Sequence, residues 1–300
     1  MLKVFKFQIS EENHRKRFED FLFNEFTTLS KLYLRDVLKN KKCLVNGVAK
    51  DRGFKLQTND LIELELNIDD VRLMQAEDIP IEILFEDEEI IVVNKPCEML
   101  VHPTLGVRNG TLLNALSYHF NIRNKTSEHI RPGLTHRLDR KTSGLLVIAK
   151  TLRSNKILCQ HFQKRIIEKE YLALVEGILK EDEGKIEAPI GKFDGVRRWD
   201  INEEGKHAET HFRVIERKND TTLLELKPIT GRTNQLRIHC NYIGHPILGD
   251  DIYKGREYPR MCLHAQKLKF WHPNGNRYME FETKVDFYSY DKEAIHTVTI

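Results

Sequence analysis

The sequence predicts an α+β protein in which a small N-terminal module precedes a larger, strand-rich domain. Three observations lead to this prediction. Residues 13–68 show two short helical patterns and then a hairpin pattern, residues 69–80 form an acidic joint that ends at Pro80, and residues 81–300 contain more strand-like runs than helices. Because strands and helices do not alternate strictly in that last part, the pattern favours an α+β domain over a doubly wound parallel sheet.

Length and composition exclude several protein classes. The chain has 300 residues, 40% of them apolar and 31% charged, and a net charge of 48 − 45 = +3, which excludes a fibrous or wholly disordered protein. The five cysteines are odd in number and form no CxxC pair, so a reducing compartment is expected. No secretory signal and no apolar run long enough to span a bilayer is visible, so we expect a soluble, cytoplasmic protein.

The N-terminal module can be followed element by element. A first helix is expected from apolar residues at helical spacing, and a second is expected to begin at Ser30 as its N-cap. Asn46-Gly47 is a strong signal for a tight turn between two strands, and Asn59-Asp60 precedes an alternating strand. The residues expected inside are Phe18, Phe21, Leu22 and Phe26 of the first helix and Leu34, Val37 and Leu38 of the second.

Basic residues are concentrated in this module. Lys31, Arg35 and Lys39 are four residues apart, so a helix places them on one face, where they could follow a line of phosphates. A merely solvated charged face is the alternative. The segments 29–31, 44–47 and 59–62, together with Arg35, resemble the alpha-L RNA-binding module that is shared with a small-subunit ribosomal protein. That resemblance implies binding to RNA.

The larger domain is expected to contain strands near residues 81–85, 90–93, 145–149, 171–175, 221–226 and 278–281. Two helices separate some of them. One should run from about residue 152 to 166, with Leu158, Phe162 and Ile166 facing inward at helical spacing. The other should start at Thr233 as its N-cap and end at Gly244, and its buried residues should be Leu236, Cys240 and Ile243.

Residues 131–144 contain the most unusual group of charges in the chain. Nearby positive charge favours the ionised form of Asp139, and an ionised carboxylate on a rigid loop can act as a nucleophile or an electrostatic stabiliser. The alternative is a salt-bridged loop residue without chemistry. The four cations around this carboxylate are Arg131, Arg137, Arg140 and Lys141.

Two further segments could belong to a site. Arg232 and Arg237 lie at or within the first turn of the second predicted helix, where the helix dipole disfavours cations, so a cation is needed there or a carboxylate such as Asp250 pairs with it. Tyr171 begins a strand, where it can simply pack or can form a flat platform for a nucleobase.

Other chemistries fit the sequence less well. No set of His, Asp and Glu residues has a recognised metal spacing, and no glycine pair has P-loop spacing. Ser143 lacks the context of a nucleophile elbow. A glycoside hydrolase would need a second carboxylate as a partner for Asp139, and none is evident.

Taken together, these segments closely resemble the RluA-like pseudouridine synthases, the large-ribosomal-subunit type. The resemblance extends from residue 81 to about residue 287, and the alpha-L module in front of it agrees with the domain order of that family. We therefore divide the chain into an RNA-binding module at residues 13–68, a linker at 69–80 and a catalytic domain at 81–300. The matching motifs are residues 94–96, 102–103, 136–139, 142–144, 169–171, 231–239, 244–250 and 263–265.

The resemblance implies a mixed, mainly antiparallel sheet and an enzyme that converts a uridine within RNA to its carbon-linked isomer, with neither cofactor nor metal. Asp139 matches the catalytic aspartate, expected to attack the anomeric carbon or the base. Tyr171 matches the tyrosine that packs on the target base, and Arg237 the arginine that pairs with the aspartate. One residue departs from the pattern, because the family usually has His where Asn234 stands; we expect a small effect.

The expected partner is RNA rather than a membrane or a metal. From the family, 23S ribosomal RNA is the expected substrate; the alternatives are a tRNA pseudouridine synthase and a non-catalytic RNA-binding or ribosome-assembly factor. Extruding a uridine from a stacked RNA costs a few kcal/mol, which contacts to the RNA must offset. The residues expected to supply those contacts are Arg137, Arg140, Lys141, Lys31, Arg35 and Lys39.

Overall fold

The structure is a computed structural model that describes residues 2–26, 31–67, 75–104, 106–123, 132–193 and 198–289. The chain divides into two compact units. One combines Met1–Pro80 with His102–Pro132, and the other combines Ile81–Val101 with Gly133–Ile300. The predicted N-cap Ser30 and the predicted loop cation Arg131 lie outside the described residues.

The first unit contains a four-stranded antiparallel sheet in the order β1-β4-β2-β3 and two short helices packed on it. Asn46 and Gly47 both have positive φ, as a two-residue turn between β2 and β3 requires, so the predicted hairpin is confirmed. The elements are β1 (Leu2–Gln8), α1 (Phe18–Glu25), α2 (Lys31–Lys39), β2 (Cys43–Val45), β3 (Val48–Ala49) and β4 (Leu61–Asn67).

Strand β1 was not among the predicted elements, and it begins before the expected module boundary at residue 13. It pairs with β4 along its full length. The signal was a period of two: Phe5 and Phe7 point toward the helices while Lys6 and Gln8 point away. The Phe5 ring meets the Phe26 ring edge-on at 5.3 Å, so β1 forms part of the core of the module.

The first unit also includes a segment that the sequence placed in the catalytic domain. Helix α3 (Leu112–Tyr118) begins at a Thr111 capping box and is followed by a π-helical turn, His119–Arg123. The Asn114 amide donates to the Gln75 carbonyl over 2.7 Å, and the Gly110 amide donates to a Glu77 carboxylate oxygen. These bonds attach residues 102–132 to the end of the predicted linker.

The second unit is built on a ten-stranded sheet whose main path runs β10-β13-β14-β9-β15-β8-β6-β5. Every pairing is antiparallel except that of β15 with β8, so the predicted mixed, mainly antiparallel sheet is confirmed. Its strands are β5 (Glu82–Glu86), β6 (Ile90–Lys95), β7 (Gly133–Leu134), β8 (Ser143–Ala149), β9 (Glu168–Glu176), β10 (Glu183–Glu187), β13 (Glu209–Lys218), β14 (Thr221–Pro228), β15 (Leu263–Trp271) and β16 (Tyr278–Glu282), and β11 (Ile190–Lys192) and β12 (Trp199–Ile201) form a separate pair.

Two helices lie against this sheet, and both differ at one end from the prediction. Helix α4 (Leu152–Gln163) ends earlier than expected, because Arg165 adopts a left-handed φ of 58° and Ile166 is exposed rather than buried. Helix α5 (Gln235–Tyr242) begins after Asn234, not after Thr233. Its end is as predicted, with Gly244 at φ 81°.

The centre of the sheet brings together segments that are far apart in the chain. All seven residues of β8 are buried. Gly144 has a φ of 115°, and a Cβ atom there would collide with the backbone of Ala265 in β15. Only glycine allows this close approach, so the loop before β8 ends directly beside β15.

Candidate active site

A cavity of about 910 Å³ opens on the second unit, large enough to enclose a nucleotide. Its wall brings together all three segments that the sequence singled out. The lining includes His136, Arg137, Asp139, Thr142, Phe162, Arg165, Lys169, Tyr171, Arg232, Asn234 and Arg237.

Arg237 joins two carboxylates. It lies in the first turn of α5, and its Nη1 is 3.4 Å from Oδ2 of Asp139, on a loop 98 residues earlier. Its Nε and Nη2 each donate to one oxygen of Asp250 over 2.7 Å. The sequence left open whether this arginine belongs to a site or pairs with Asp250. In the structure Arg237 lines the cavity and also pairs with Asp250.

The two carboxylates differ in exposure. Asp250 is 0% exposed, and its Oδ1 also accepts hydrogen bonds from the backbone amides of Ile252 and Tyr253, so both of its oxygens are engaged. The side chain of Asp139 is 33% exposed and faces the cavity. Burial alone would lower the pKa of Arg237, but the bonds to Asp250 raise it, and the guanidinium remains charged. Asp139 is therefore the carboxylate that a ligand can reach.

Tyr171 lies beside this pair, in strand β9. It is 9% exposed and lines the cavity. Burial and then the charge of Asp139 raise the pKa of its hydroxyl, so the phenol is neutral at neutral pH. Such a group can donate a hydrogen bond to a ligand and present its ring as a flat surface.

The loop that carries Asp139 is held from beneath by a buried lysine. Lys95, 0% exposed, donates to the carbonyl oxygens of Pro96, Met99 and Arg140 over 2.7, 2.8 and 3.1 Å. Burial lowers its pKa to about 8. The role of Lys95 was not predicted, although a charged residue two positions after the apolar strand run 90–93 was the available signal.

A second set of bonds holds the end of the same loop. The Ser143 hydroxyl and His264 Nδ1 share a hydrogen bond of 2.7 Å, His264 Nε2 shares one of 2.9 Å with the Thr283 hydroxyl, and Arg260 donates to Ser143 Oγ over 2.6 Å. Burial lowers the pKa of His264 to about 4, so the ring is neutral. This network could not be recognised in the sequence, because Ser143 is 121 residues from His264 and 117 residues from Arg260.

Asn234, the departure from the family pattern, lies at the start of α5. Its φ is 56° and its ψ is 19°, a left-handed conformation that Asn and His adopt more readily than most residues. Its side-chain amide donates to the Tyr253 hydroxyl over 3.0 Å. That hydroxyl donates to the Trp199 carbonyl, and the Tyr253 ring lies under the guanidinium of Arg237 at 5.0 Å. Asn234 therefore supports the ring on which Arg237 rests.

The residues predicted to bind RNA have different surroundings. Arg137 is exposed at the cavity, whereas Arg140 pairs with Glu98 at 3.2 Å and Lys141 with Asp251 at 2.9 Å. In the first unit, Lys39 is exposed. Arg35, also exposed, forms an ion pair of 2.6 Å with Glu19, which partly neutralises its positive charge. Lys31 is the first residue of α2, and its side chain lies outside the described part of the structure.

The described part of the chain contains neither a metal-ligand cluster nor a membrane-spanning helix. No group of His, Cys, Asp and Glu side chains there has the arrangement of a metal centre. No helix among the same residues is long and apolar enough to cross a membrane.

Comparison with known proteins identifies the family. The profile described as RNA pseudouridylate synthase matches residues 89–242, which include Asp139, Tyr171 and Arg237. An uncharacterized RNA pseudouridine synthase of Bacillus subtilis is 36% identical over 91% of both chains. Ribosomal large subunit pseudouridine synthase D of Vibrio cholerae is 38% identical over 87% of this chain and 85% of its own length.

A solved structure agrees with these relatives. Human RNA pseudouridylate synthase domain containing 1 matches with a TM-score of 0.58 at 28% identity, over 70% of this chain and 85% of that one. The sequence, the fold and the residues that line the cavity thus lead to the same assignment. The chain belongs to the RNA pseudouridylate synthase family, the isomerases that convert uridine in RNA to pseudouridine.

Proposed function

We propose that this protein modifies specific uridines of 23S ribosomal RNA, with Asp139 as the nucleophile. The observation that carries the proposal is the pairing of Asp139 with Arg237 at 3.4 Å in a cavity that Tyr171 also lines. The large-subunit names of the relatives at 33–38% identity support the choice of RNA. The site of action would then be the cytoplasm, where ribosomal RNA is found.

In the proposed reaction, the target uridine leaves the RNA stack and enters the cavity. A carboxylate oxygen of Asp139 forms a bond to the anomeric carbon while the bond from that carbon to ring nitrogen N1 breaks, and the electron pair remains on the uracil. The uracil rotates, and its carbon C5 attacks the anomeric carbon and releases the carboxylate. The proton on C5 is then lost, and N1 gains a proton.

The surrounding residues fit distinct roles in this scheme. Arg237, charged and held by Asp250, pairs with the Asp139 carboxylate and orients it at the cavity. The neutral phenol of Tyr171 suits stacking and hydrogen-bond donation to the uracil, and not proton abstraction, because its pKa is raised. We assign RNA contacts to Arg137, Arg140 and Lys141 at the cavity loop and to Lys31, Arg35 and Lys39 of α2.

A glycoside hydrolase, the alternative from another enzyme class, is disfavoured by the same geometry. Such an enzyme needs a second carboxyl group that can donate or accept a proton. Asp250, the carboxylate joined to Asp139 through Arg237, is fully buried and engaged in four hydrogen bonds. It therefore cannot take that role. The two glutamates of the cavity lining are also engaged, Glu168 by the Tyr278 hydroxyl and Glu170 by two lysines.

Carbodiimide mapping of pseudouridines in total RNA tests the proposal. Cells that lack the gene should lose one or a few modifications in 23S ribosomal RNA. A plasmid copy of the natural protein should restore them, and an Asp139→Asn copy should not. Loss of a tRNA modification instead would refute the assigned substrate, and an unchanged map would favour the non-catalytic RNA-binding factor.

A further inference from the structure

Lys169 is a cation of the cavity wall to which the reaction scheme gives no role. It lies in β9 two residues before Tyr171, so both side chains are on the same face of the strand, about 7 Å apart along it. Both line the cavity. Lys169 is thus one step along the wall from the ring that would receive the target base.

The carboxylates next to Lys169 in the sequence are bound elsewhere. Glu170 pairs with Lys227 at 3.0 Å and with Lys267 at 3.6 Å, and Glu168 accepts a hydrogen bond from the Tyr278 hydroxyl. Within the described residues, Lys169 itself forms no ion pair, and its ammonium lies over the face of the Phe162 ring at 5.9 Å. A half-buried ammonium without a counter-ion is costly, unless a ligand supplies the anion.

The neighbouring imidazole does not supply a charge of its own. His136 is stacked on Phe162 at 4.4 Å, and its Nε2 accepts a hydrogen bond from the Val147 amide. Burial, together with the charge of Lys169, lowers the pKa of His136 to about 3. The charge on this part of the wall therefore comes from Lys169, while Arg137 and Arg165 lie exposed at the cavity and attract anions toward it.

We propose that Lys169 binds one of the two backbone phosphates that flank the target uridine. This inference rests on the proposed function, because it takes the occupant of the cavity to be an extruded nucleotide. With the base at Tyr171 and the sugar at Asp139, the phosphates of the same nucleotide are one sugar ring away from the reacting carbon. The Lys169 ammonium, one step along the same strand and without an ion pair among the described residues, is placed to meet one of them.

The test combines a protein variant with an uncharged phosphate. The substrate is a stem-loop oligonucleotide that copies the mapped target site, with the phosphate on the 5′ or the 3′ side of the target uridine replaced by a methylphosphonate. Lys169→Met keeps the length of the side chain and its contact with Phe162. Lys185→Met, on an exposed strand outside the cavity lining, is the matched control.

For the natural protein we expect kcat/KM to fall about tenfold with one of the two methylphosphonates, the loss of one charge-assisted contact. The kcat/KM of Lys169→Met should be about tenfold lower than that of the natural protein on unmodified RNA, and that methylphosphonate should not lower it further. Lys185→Met should behave as the natural protein on both substrates. Lys169→Arg should retain the sensitivity. The thermal midpoint of each variant verifies folding, and Lys169→Gln serves if the Met variant is unfolded.

Two results would overturn the inference: a natural protein that is insensitive to both methylphosphonates, or a Lys169→Met variant that remains as sensitive as the natural protein. Failure of the proposed function would look different, because the natural protein would then form no pseudouridine in the unmodified stem-loop.

Discussion

Arg237 pairs with two carboxylates, one buried and one at the cavity. Asp250 fixes the guanidinium in a buried two-pronged pair, and Asp139 meets the remaining nitrogen at the cavity. Removing one partner of a buried ion pair typically costs about 3–5 kcal/mol, since it leaves an uncompensated charge. The stable pair with Asp250 therefore gives the weaker, longer pair with Asp139 a defined position.

Asn234 provides a prediction at the scale of one residue. Asn234→His should change kcat/KM by only a few-fold, because His is also tolerated in the left-handed region. Asn234→Val should lower the free energy of unfolding by about 1–3 kcal/mol, since a β-branched residue is strained there. Urea unfolding and single-turnover kinetics of both variants provide the measurement. Equal stability of the Val and His variants would contradict the strained geometry.

Residues of the site could be recognised in the sequence to different degrees. Asp139 could be recognised because four cations lie near it in the sequence. In the structure it pairs with Arg237, far along the chain, while Arg140 and Lys141 pair with other carboxylates. Local charge patterns do not reveal which partners the fold brings together. The network of Ser143 and His264 could not be recognised for the same reason.

At the scale of elements, the loop before β8 is fixed at both of its ends. Lys95 holds the carbonyl of Arg140, and Ser143 is bonded to His264 of β15. Gly144 allows β8 to approach β15 closely enough for these bonds. Catalytic geometry depends on a carboxylate that does not move, and these contacts hold the segment on which Asp139 lies.

The same network predicts how stability depends on pH. The unfolded chain binds a proton at His264 near pH 6.5, whereas the folded pKa is about 4, so acid favours unfolding. Between these values the free energy of unfolding should fall by about 1.4 kcal/mol per pH unit from this residue alone. His264→Gln should lack this part of the decline, and exposed His211→Gln should retain it. The measurement is urea unfolding of the three proteins at several pH values. If the free energy of unfolding fell equally steeply from pH 6.5 to pH 4 for His264→Gln and for the natural protein, the assignment would be refuted.

Element types were easier to predict than element ends. Turn chemistry at Asn46-Gly47 predicted the hairpin of β2 and β3, and Asn59 predicted the turn before β4, because positive φ is required at these positions and these residues tolerate it. Helix α4 stopped short because Arg165 turns left-handed, which its sequence does not signal. Strand β1 was missed because its alternation is short and lies among charges.

At the scale of the whole molecule, the charge of +3 is small, so affinity for RNA must come from its distribution. The basic residues concentrated in the N-terminal module fall in the first unit, and the residues proposed to react lie in the second. The sequence could indicate that the basic residues and the proposed reacting residues lie in different parts of the chain. It could not indicate that residues 102–132 belong with the first unit, since that assignment depends on hydrogen bonds between distant segments.

The salt dependence of RNA binding tests this division. Lys31→Gln with Lys39→Gln should weaken binding and reduce the slope of log affinity against log salt by about 1.4, since each contact with a single strand contributes about 0.7. Single-turnover isomerisation at saturating RNA should not change. Lys6→Gln, which removes a lysine paired with Glu63 on β1, is the control. An unchanged slope in the double variant would mean that α2 has another partner.

The measurement that tests the central claim most directly is single-turnover pseudouridine formation by purified Asp139→Asn, with its affinity for the same RNA measured in parallel. Asparagine keeps the shape of the side chain but is a far weaker nucleophile. The predicted result is isomerisation below detection with nearly unchanged RNA affinity. An Asn variant that remains fully active would contradict the assignment of Asp139 as the nucleophile.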